Sequence, residues 1–319
     1  EIILQQTRVD QGMSYYHRFA ETFPTISDLA GAPEDDVLRL WQGLGYYSRA
    51  RNLHTTAKKV RDSYNGVFPT QYEDILALKG VGEYTTAAIG SFAFNIRKPV
   101  VDGNVMRVIS RYFGVTDPID SKEGLLKIKS IAEELIADAD PATHNQAMME
   151  FGATCCTPKN VQCGNCPLRA GCFAYAQEQV DQLPFKKGKT KVVDVYMYYA
   201  VVSTPNGYLM KKRTAEGIWK GLYDFPLIES PHALDKKIVL ESLQASGVAI
   251  SDADIDQISM PIKHLLSHRR LFVCFYHINP HKRQKNWPEG YVLLSPTQMA
   301  SKGLPRVIEK YLKDINVYE

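Results

Sequence analysis

Four cysteines compressed into one short, turn-rich stretch constrain this chain more than any other feature. Cys156, Cys163, Cys166 and Cys172 follow a C-x6-C-x2-C-x5-C spacing, with Pro158, Gly164, Pro167 and Gly171 breaking the segment between them. A loop of this kind has little apolar material with which to order itself, so bound metal is the expected source of its structure. Four thiolates suit either a tetrahedral zinc ion or an iron–sulfur cluster, and the spacing leaves both open. A secreted disulfide scaffold fits poorly, because such chains are shorter and spread their cysteines along the sequence. A reducing compartment is therefore expected. Cys155 and Cys274 fall outside the pattern and are expected to be buried thiols.

The apolar spacing ahead of the cysteines is helical. Helices are expected from Pro33 to Leu40, Tyr46 to Val60, Tyr72 to Leu78, Gly82 to Phe94, Asp102 to Phe113 and Ser121 to Ile136, with no convincing strand. Glu1 to Thr7 read as the middle of a helix and begin without Met, so a preceding segment is expected. At Leu183–Lys191 the chain turns polar and basic, with Pro184 and Gly188, which marks a linker. Beyond it the period changes. Val192 to Val202 is rich in Val and Tyr, Asn206-Gly207 is a hairpin turn into Tyr208–Met210, and Leu271 to Ile278 is strand-like. Leu234 to Leu243 and Val307 to Leu312 read as helices. The expected organisation is an all-α region over 1–182, a linker over 183–191 and an α/β domain over 192–319. No apolar run approaches the roughly 18–20 residues needed to cross a bilayer, so no membrane partner is expected.

Charge gives a weak and divided signal. Residues 1–185 carry 18 Lys/Arg against 22 Asp/Glu, a net −4, and residues 186–319 carry 20 against 13, a net +7. Only the second part shows even a slight basic footprint for nucleic acid. The first part offers another means of gripping a phosphate. In Leu78-Lys79-Gly80-Val81-Gly82-Glu83-Tyr84 a Gly-x-Gly separates two helices, so backbone N–H groups can approach an anion while the next helix directs its positive end at it. Alone, this is a weak signal, and an ordinary helix–helix turn is the first reading of it. Asp102, in Val100-Val101-Asp102-Gly103-Asn104-Val105, likewise suits a plain helix N-cap.

In combination the set is specific. The opening Ile3-Leu4-Gln5-Gln6-Thr7, the Gly43–Leu53 stretch, the hairpin, Val-Asp-Gly-Asn-Val and the cysteine loop occur in that order over residues 1–175. Together they resemble the endonuclease III and MutY branch of the helix-hairpin-helix DNA glycosylases, and the cysteine spacing is similar to that branch's [4Fe–4S] loop. Bifunctional relatives carry a Schiff-base Lys where this chain has Tyr84, which implies a monofunctional enzyme. Glu1, directly before Ile2-Ile3-Leu4-Gln5-Gln6-Thr7, favours the MutY type, which excises adenine opposite 8-oxoguanine or G in base excision repair.

The resemblance implies roles for individual residues. Breaking the N-glycosidic bond of adenine needs a proton donor on the base side and a carboxylate facing the oxocarbenium-like sugar. These map onto Glu1, expected to be buried in its pocket, and Asp102, with Tyr84 and Asn104 in support. Gly80, Val81 and Gly82 would hold the backbone of the duplex. Gln6, Leu44 and Tyr46 resemble wedge residues that fill the gap left by an extruded base, and Gln146 matches a position that hydrogen-bonds the flipped adenine. Residues from about 192 are similar to the MutT/Nudix-like domain of the same family. The acidic helix a nucleotide hydrolase needs for Mg²⁺ is reduced to Glu241 in Leu240-Glu241-Ser242-Leu243, so this domain is expected to bind without hydrolysing. Its Leu266-Ser267-His268 stands where the family has Phe-Ser-His facing 8-oxoguanine, with Leu in place of the aromatic. A duplex carrying A opposite 8-oxoguanine is the implied partner of a monomer that works in the cytoplasm, bacterial-type and nucleoid-associated. A pyrimidine-directed glycosylase/lyase and a non-catalytic DNA-binding module built on zinc are the rival readings.

Overall fold

The computed structural model describes residues 1–188, 191–248, 250–280 and 287–317. The elements in chain order are α1 (Val9–Thr22), α2 (Ile26–Gly31), α3 (Glu34–Leu40), α4 (Ser48–Ser63), α5 (Tyr72–Leu76), α6 (Glu83–Phe94), α7 (Gly103–Phe113), α8 (Lys122–Ile136), α9 (Pro141–Thr154) and α10 (Phe173–Ala176). Then follow β1 (Val193–Thr204), β2 (Gly207–Lys212), β3 (Tyr223–Asp224), β4 (Leu227–Ser230), α11 (Lys236–Ala245), β5 (Ile255–Ile258), β6 (Ile262–Leu265), β7 (Arg269–Ile278), β8 (Tyr291–Leu294), α12 (Pro296–Ala300) and α13 (Arg306–Asp314). An all-helical region thus precedes an α/β one, as the sequence implies. Among the described residues no helix is long and apolar enough to cross a membrane.

Contacts divide the chain into two compact units that do not follow chain order. One comprises Glu1–Gln5 with Lys59–Lys189, and the other Gln6–Lys58 with Thr190–Glu319. The expected partition had put 1–182 in one body. The helices of 6–58 instead group with the sheet: Lys212 and Lys302 both pair with Asp35 of α3, and the Leu304 amide donates to Gln42 Oε1 at 2.9 Å. Of the expected linker, Lys189 and Thr190 lie outside the described residues. Its first half is tied down, since Asp120 accepts from the Lys187 and Gly188 amides at 2.9 and 2.8 Å.

In the first unit, caps set the helix starts. Asp102, Ser121 and Asp140 each accept from amides of the first turn of α7, α8 and α9, and Pro141 occupies the first turn where its missing N–H costs nothing. Val105, Ile109 and Val115 from the α7 region meet Ile119, Ile128 and Ala132 in one core. Residues 1–7 form turns rather than the expected helix. Leu4 N–H bonds to the Glu1 carbonyl, an i→i−3 turn, and Gln6 takes φ 55°, which stops its continuation.

In the second unit β1 is the spine. It pairs parallel with β7 from Val193–Arg269 to Val202–Ile278, and antiparallel with β2 and β4. Its residues Met197–Val202 are buried in an unbroken run, as expected for a strand covered on both faces. Helix α11 covers one face through Val239, Leu240 and Leu243. On α13, Tyr311 stacks on Phe275 of β7 with ring centroids 3.7 Å apart. The alternation of short strands β3–β6 and β8, and helices α1, α2, α9 and α12, go beyond the sequence reading. Cys274 is half-buried at the edge of the sheet core rather than fully enclosed.

An ion network ties the residue that follows β2 to β3 and β4. Arg213 donates to Asp224 at 2.7 Å and to Glu229 at 3.0 Å, with the Asp224 side chain only 7% exposed. Replacing Arg213 by Met strands a buried carboxylate, and urea unfolding is expected to show a loss of about 3 kcal/mol or more.

Candidate active site and nucleic-acid interface

Helix α7 begins at Asp102, and its start is held from behind. Asn145 of α9, 2% exposed, accepts from the Val100 amide and donates to the Lys98 carbonyl, each at 2.9 Å, which fixes the segment entering the cap. Asp102 Oδ1 accepts from the Asn104 and Val105 amides at 2.8 Å each, and Oδ2 accepts from Asn104 Nδ2 at 2.8 Å. Three donors thus hold the half-buried Asp102 carboxylate in one orientation.

Glu1 reaches the same neighbourhood through Gln5, whose Nε2 donates to Thr85 Oγ1 at 2.8 Å and pins the first residues to α6. Tyr84, one residue earlier on α6, hydrogen-bonds the Glu1 carboxylate. Burial, then the charge and hydrogen bond of Glu1, then the charge of Asp102 push the Tyr84 phenol well above its ordinary range, so it stays protonated and donates. Glu1, Tyr84, Asp102 and Asn104 are therefore one constellation. Glu1, the first described residue, is exposed in it, where the resemblance implied a buried carboxyl.

The chain between α5 and α6 makes the hairpin. Val81 is the buried anchor at 8% exposure, while Gly80 and Gly82 are exposed, Gly80 at φ 77° where a side chain would be strained. Gly82 caps α6 without any side-chain acceptor, which leaves amides at the positive end of a 12-residue helix facing outward.

Two arginines that sequence reasoning passed over connect Asp102 to the cysteine loop. Arg107, 7% exposed, donates to Asn104 Oδ1 at 2.8 Å, to the Cys156 carbonyl at 2.7 Å and to the Gly152 carbonyl. Arg111, 3% exposed, donates to the Thr157 carbonyl at 2.8 Å and to Cys156 Sγ at 3.4 Å. The available signal was their spacing: Asn104, Arg107 and Arg111 recur at helical intervals on an apolar helix. The donor chemistry fits a four-thiolate group. A guanidinium faces Cys156, and burial followed by the charges of Cys156, Cys166 and Cys172 raises the Cys163 thiol. Among the described residues no three His, Cys, Asp or Glu stand in a metal-holding arrangement. Cys155 is half-buried and hydrogen-bonds Cys166, so it lies beside the set rather than in the core.

The second unit carries a cleft of about 500 Å³ lined from both ends of the sequence, by Leu44, Tyr46, Arg51, Trp219, Leu266, Ser267 and His268 among others. Gly43 and Gly45 (φ 98° and 74°) and Tyr46 (φ 47°) bend the chain ahead of α4, which starts at Ser48 for that reason. Leu44 is buried and Tyr46 is 44% exposed. Tyr46 and Ser267 share a hydroxyl–hydroxyl hydrogen bond. Ser267 and His268 are exposed in the turn between β6 and β7. Trp219, at φ 62° and packed on His264, was not foreseen in this wall. Gln6 and Gln146 stand at exposed positions, and neither lines this cleft.

Residues 1–134 match the family model described as HhH-GPD superfamily base excision DNA repair protein, and residues 197–314 match that of the NUDIX domain. The chain is 32% identical over 317 residues to an adenine DNA glycosylase of Buchnera aphidicola subsp. Acyrthosiphon pisum, covering 98% of this chain and 88% of that protein. A second from Buchnera aphidicola subsp. Baizongia pistaciae is 35% identical over 278 residues, covering 86% and 75%. Among solved structures, a thermostable thymine-DNA glycosylase superposes with a TM-score of 0.51 at 29% identity, covering 55% of this chain and 81% of that one. A non-covalent endonuclease III–DNA complex gives 0.50 at 25%, covering 56% and 81%.

Replacing Cys163 by Ser is expected to yield protein that is poorly soluble or stripped of visible colour and metal. An absorption spectrum and metal analysis of the purified variant check this, and full solubility without metal would remove the structural role of the four thiols.

Proposed function

The chain belongs to the adenine DNA glycosylase family, and we propose that this member removes adenine paired with 8-oxoguanine, or with G, by hydrolysis that leaves the strand uncut. The observation that carries the reading is the Glu1–Tyr84–Asp102 constellation. It contains two carboxylates for the two charges that develop, and a phenol where a strand-nicking relative needs an amine. Glu1 delivers a proton to the purine, the C1′–N bond breaks with its electrons leaving on the now neutral base, and water adds to C1′ with loss of a proton. Asp102 faces the positive sugar, where its carboxylate stabilises the charge as it forms. Tyr84 and Asn104 fix the two carboxylates.

Reaching the base requires extruding it from the duplex. Gln6, Leu44 and Tyr46 fill the gap, Gln146 bonds the adenine, and the Gly80–Val81–Gly82 amides hold the backbone of the strand. The four cysteines 156, 163, 166 and 172 hold a [4Fe–4S] cluster, which supplies order to a loop that Arg107 and Arg111 tie to α7. In the Nudix-like domain Ser267 accepts from N7–H of 8-oxoguanine and His268 binds its C8 oxygen or an adjacent phosphate. This domain reads without hydrolysing: Glu241 of α11 pairs with Lys237 at 3.9 Å, and among the described residues no three His, Cys, Asp or Glu stand in a metal-holding arrangement. A monomer suffices for these contacts.

Asp102→Asn is expected to abolish nearly all base release in a single-turnover assay while duplex affinity stays close to the parent's. Asn still caps α7 but cannot stabilise a cation, so near-parent excision would reduce Asp102 to a cap. Replacing Ser267 and His268 together by Ala is expected to slow excision opposite 8-oxoguanine about tenfold more than excision opposite G, the scale of one specific contact. Equal losses on the two duplexes would assign the pair to the backbone alone. Gel analysis of the same reactions without alkali checks for uncut strand.

A further inference from the structure

The start of α6 carries a charge of the wrong sign for a strand to rest on it. Glu83 is the first residue of the helix, directly after Gly82, and its side chain is 68% exposed. A carboxylate in the first turn is ordinarily drawn over the free amides by the helix dipole. There it would take the place of a phosphate and repel the rest of the strand. We propose that Lys129 is a positioning residue for duplex binding, holding the Glu83 carboxylate aside so that the hairpin amides stay open to the phosphate backbone. This rests on Gly80, Val81 and Gly82 being the backbone contact.

The placement is tertiary rather than local. Lys129 Nζ donates to Glu83 Oε2 at 2.5 Å across 46 residues of sequence. Lys129 belongs to α8, where Leu125, Lys129 and Glu133 recur at four-residue intervals and share one face. That face, with Tyr72 of α5 and Lys98 ahead of α7, lines a cleft of about 440 Å³ that Glu83 also lines. The second cation of the cleft is already engaged, since Lys98 pairs with Glu133 at 3.6 Å, and Lys129 is left to Glu83. The hydrogen bond and then the charge of Lys129 hold the Glu83 carboxyl below its ordinary range, so it is ionised at neutral pH. An exposed pair of this kind contributes little to folding. What it does fix is the place of a negative charge, in a region whose net charge is already −4 over residues 1–185.

The probe is a duplex with A opposite G whose target adenosine carries a 2′-fluorine, which resists excision by disfavouring the sugar cation. Dissociation constants and their salt dependence are measured for the parent, Lys129→Met, Glu83→Gln, the double variant of these two, and Glu83→Lys. Lys129→Met is expected to weaken binding about fivefold at low salt, the size of the repulsion between two unit charges about 4 Å apart in water. The loss is expected to shrink at high salt, where that repulsion is screened. In the Glu83→Gln background the same change is expected to do almost nothing, because no carboxylate is left to release. Glu83→Lys is expected to tighten binding and to steepen the salt dependence by about one released counterion. Unchanged affinity in Lys129→Met, with a response to Glu83→Lys, overturns the positioning role and leaves the hairpin reading standing. Equal losses from Lys129→Met with and without the Glu83 carboxylate also overturn it, since Lys129 then meets the duplex itself. An affinity and salt dependence unmoved by Glu83→Lys overturn the hairpin reading.

Discussion

The buried guanidinium of Arg107 is the contact on which the first unit turns. It satisfies carbonyls from α9 and from the head of the cysteine loop while holding the side chain of Asn104, whose amide in turn meets Asp102. Without it several backbone acceptors and the Asn104 carbonyl oxygen would be left unpaired in a closed interior, each at a cost of about 1–3 kcal/mol. Close packing leaves no alternative occupant. A methyl group on Gly152 would sit 2.7 Å from Asn104 Cβ, so α9 and α7 touch backbone to backbone at this level. The Asp102 carboxylate is therefore set by an interior lattice of bonds rather than by the surface on which it opens.

This explains which parts of the molecule were legible in the sequence. Helices with a strong apolar period and a capping residue, such as α7 behind Asp102 and α8 behind Ser121, are visible because the cap and the period agree. The short strands β3 and β6 are not, since two to four residues carry too little pattern to separate strand from loop. Residues 1–7 misled for the opposite reason: an apolar-polar pattern suggests a helix, and a single left-handed Gln6 undoes it.

The site divides in the same way. The cysteines, Asp102 and the Gly-x-Gly hairpin are marked by residue type and local spacing, which a linear reading captures. The grouping of Gln6–Lys58 with the β-sheet, and the meeting of Tyr46 with Ser267, depend on tertiary contacts across most of the chain and leave no local trace. Buried arginines occupy an intermediate place. Their helical spacing is visible, but their partners are backbone carbonyls, which have no signature in a sequence.

The left-handed tyrosine at position 46 has an evolutionary consequence. A non-glycine residue in that conformation costs on the order of 1–3 kcal/mol, which glycine would relieve at the loss of the side chain's contacts. Selection for thermal stability would then weigh that relief against the contacts the ring makes with Arg49 and Ser267. Backbone strain and side-chain contact pull in opposite directions at this residue.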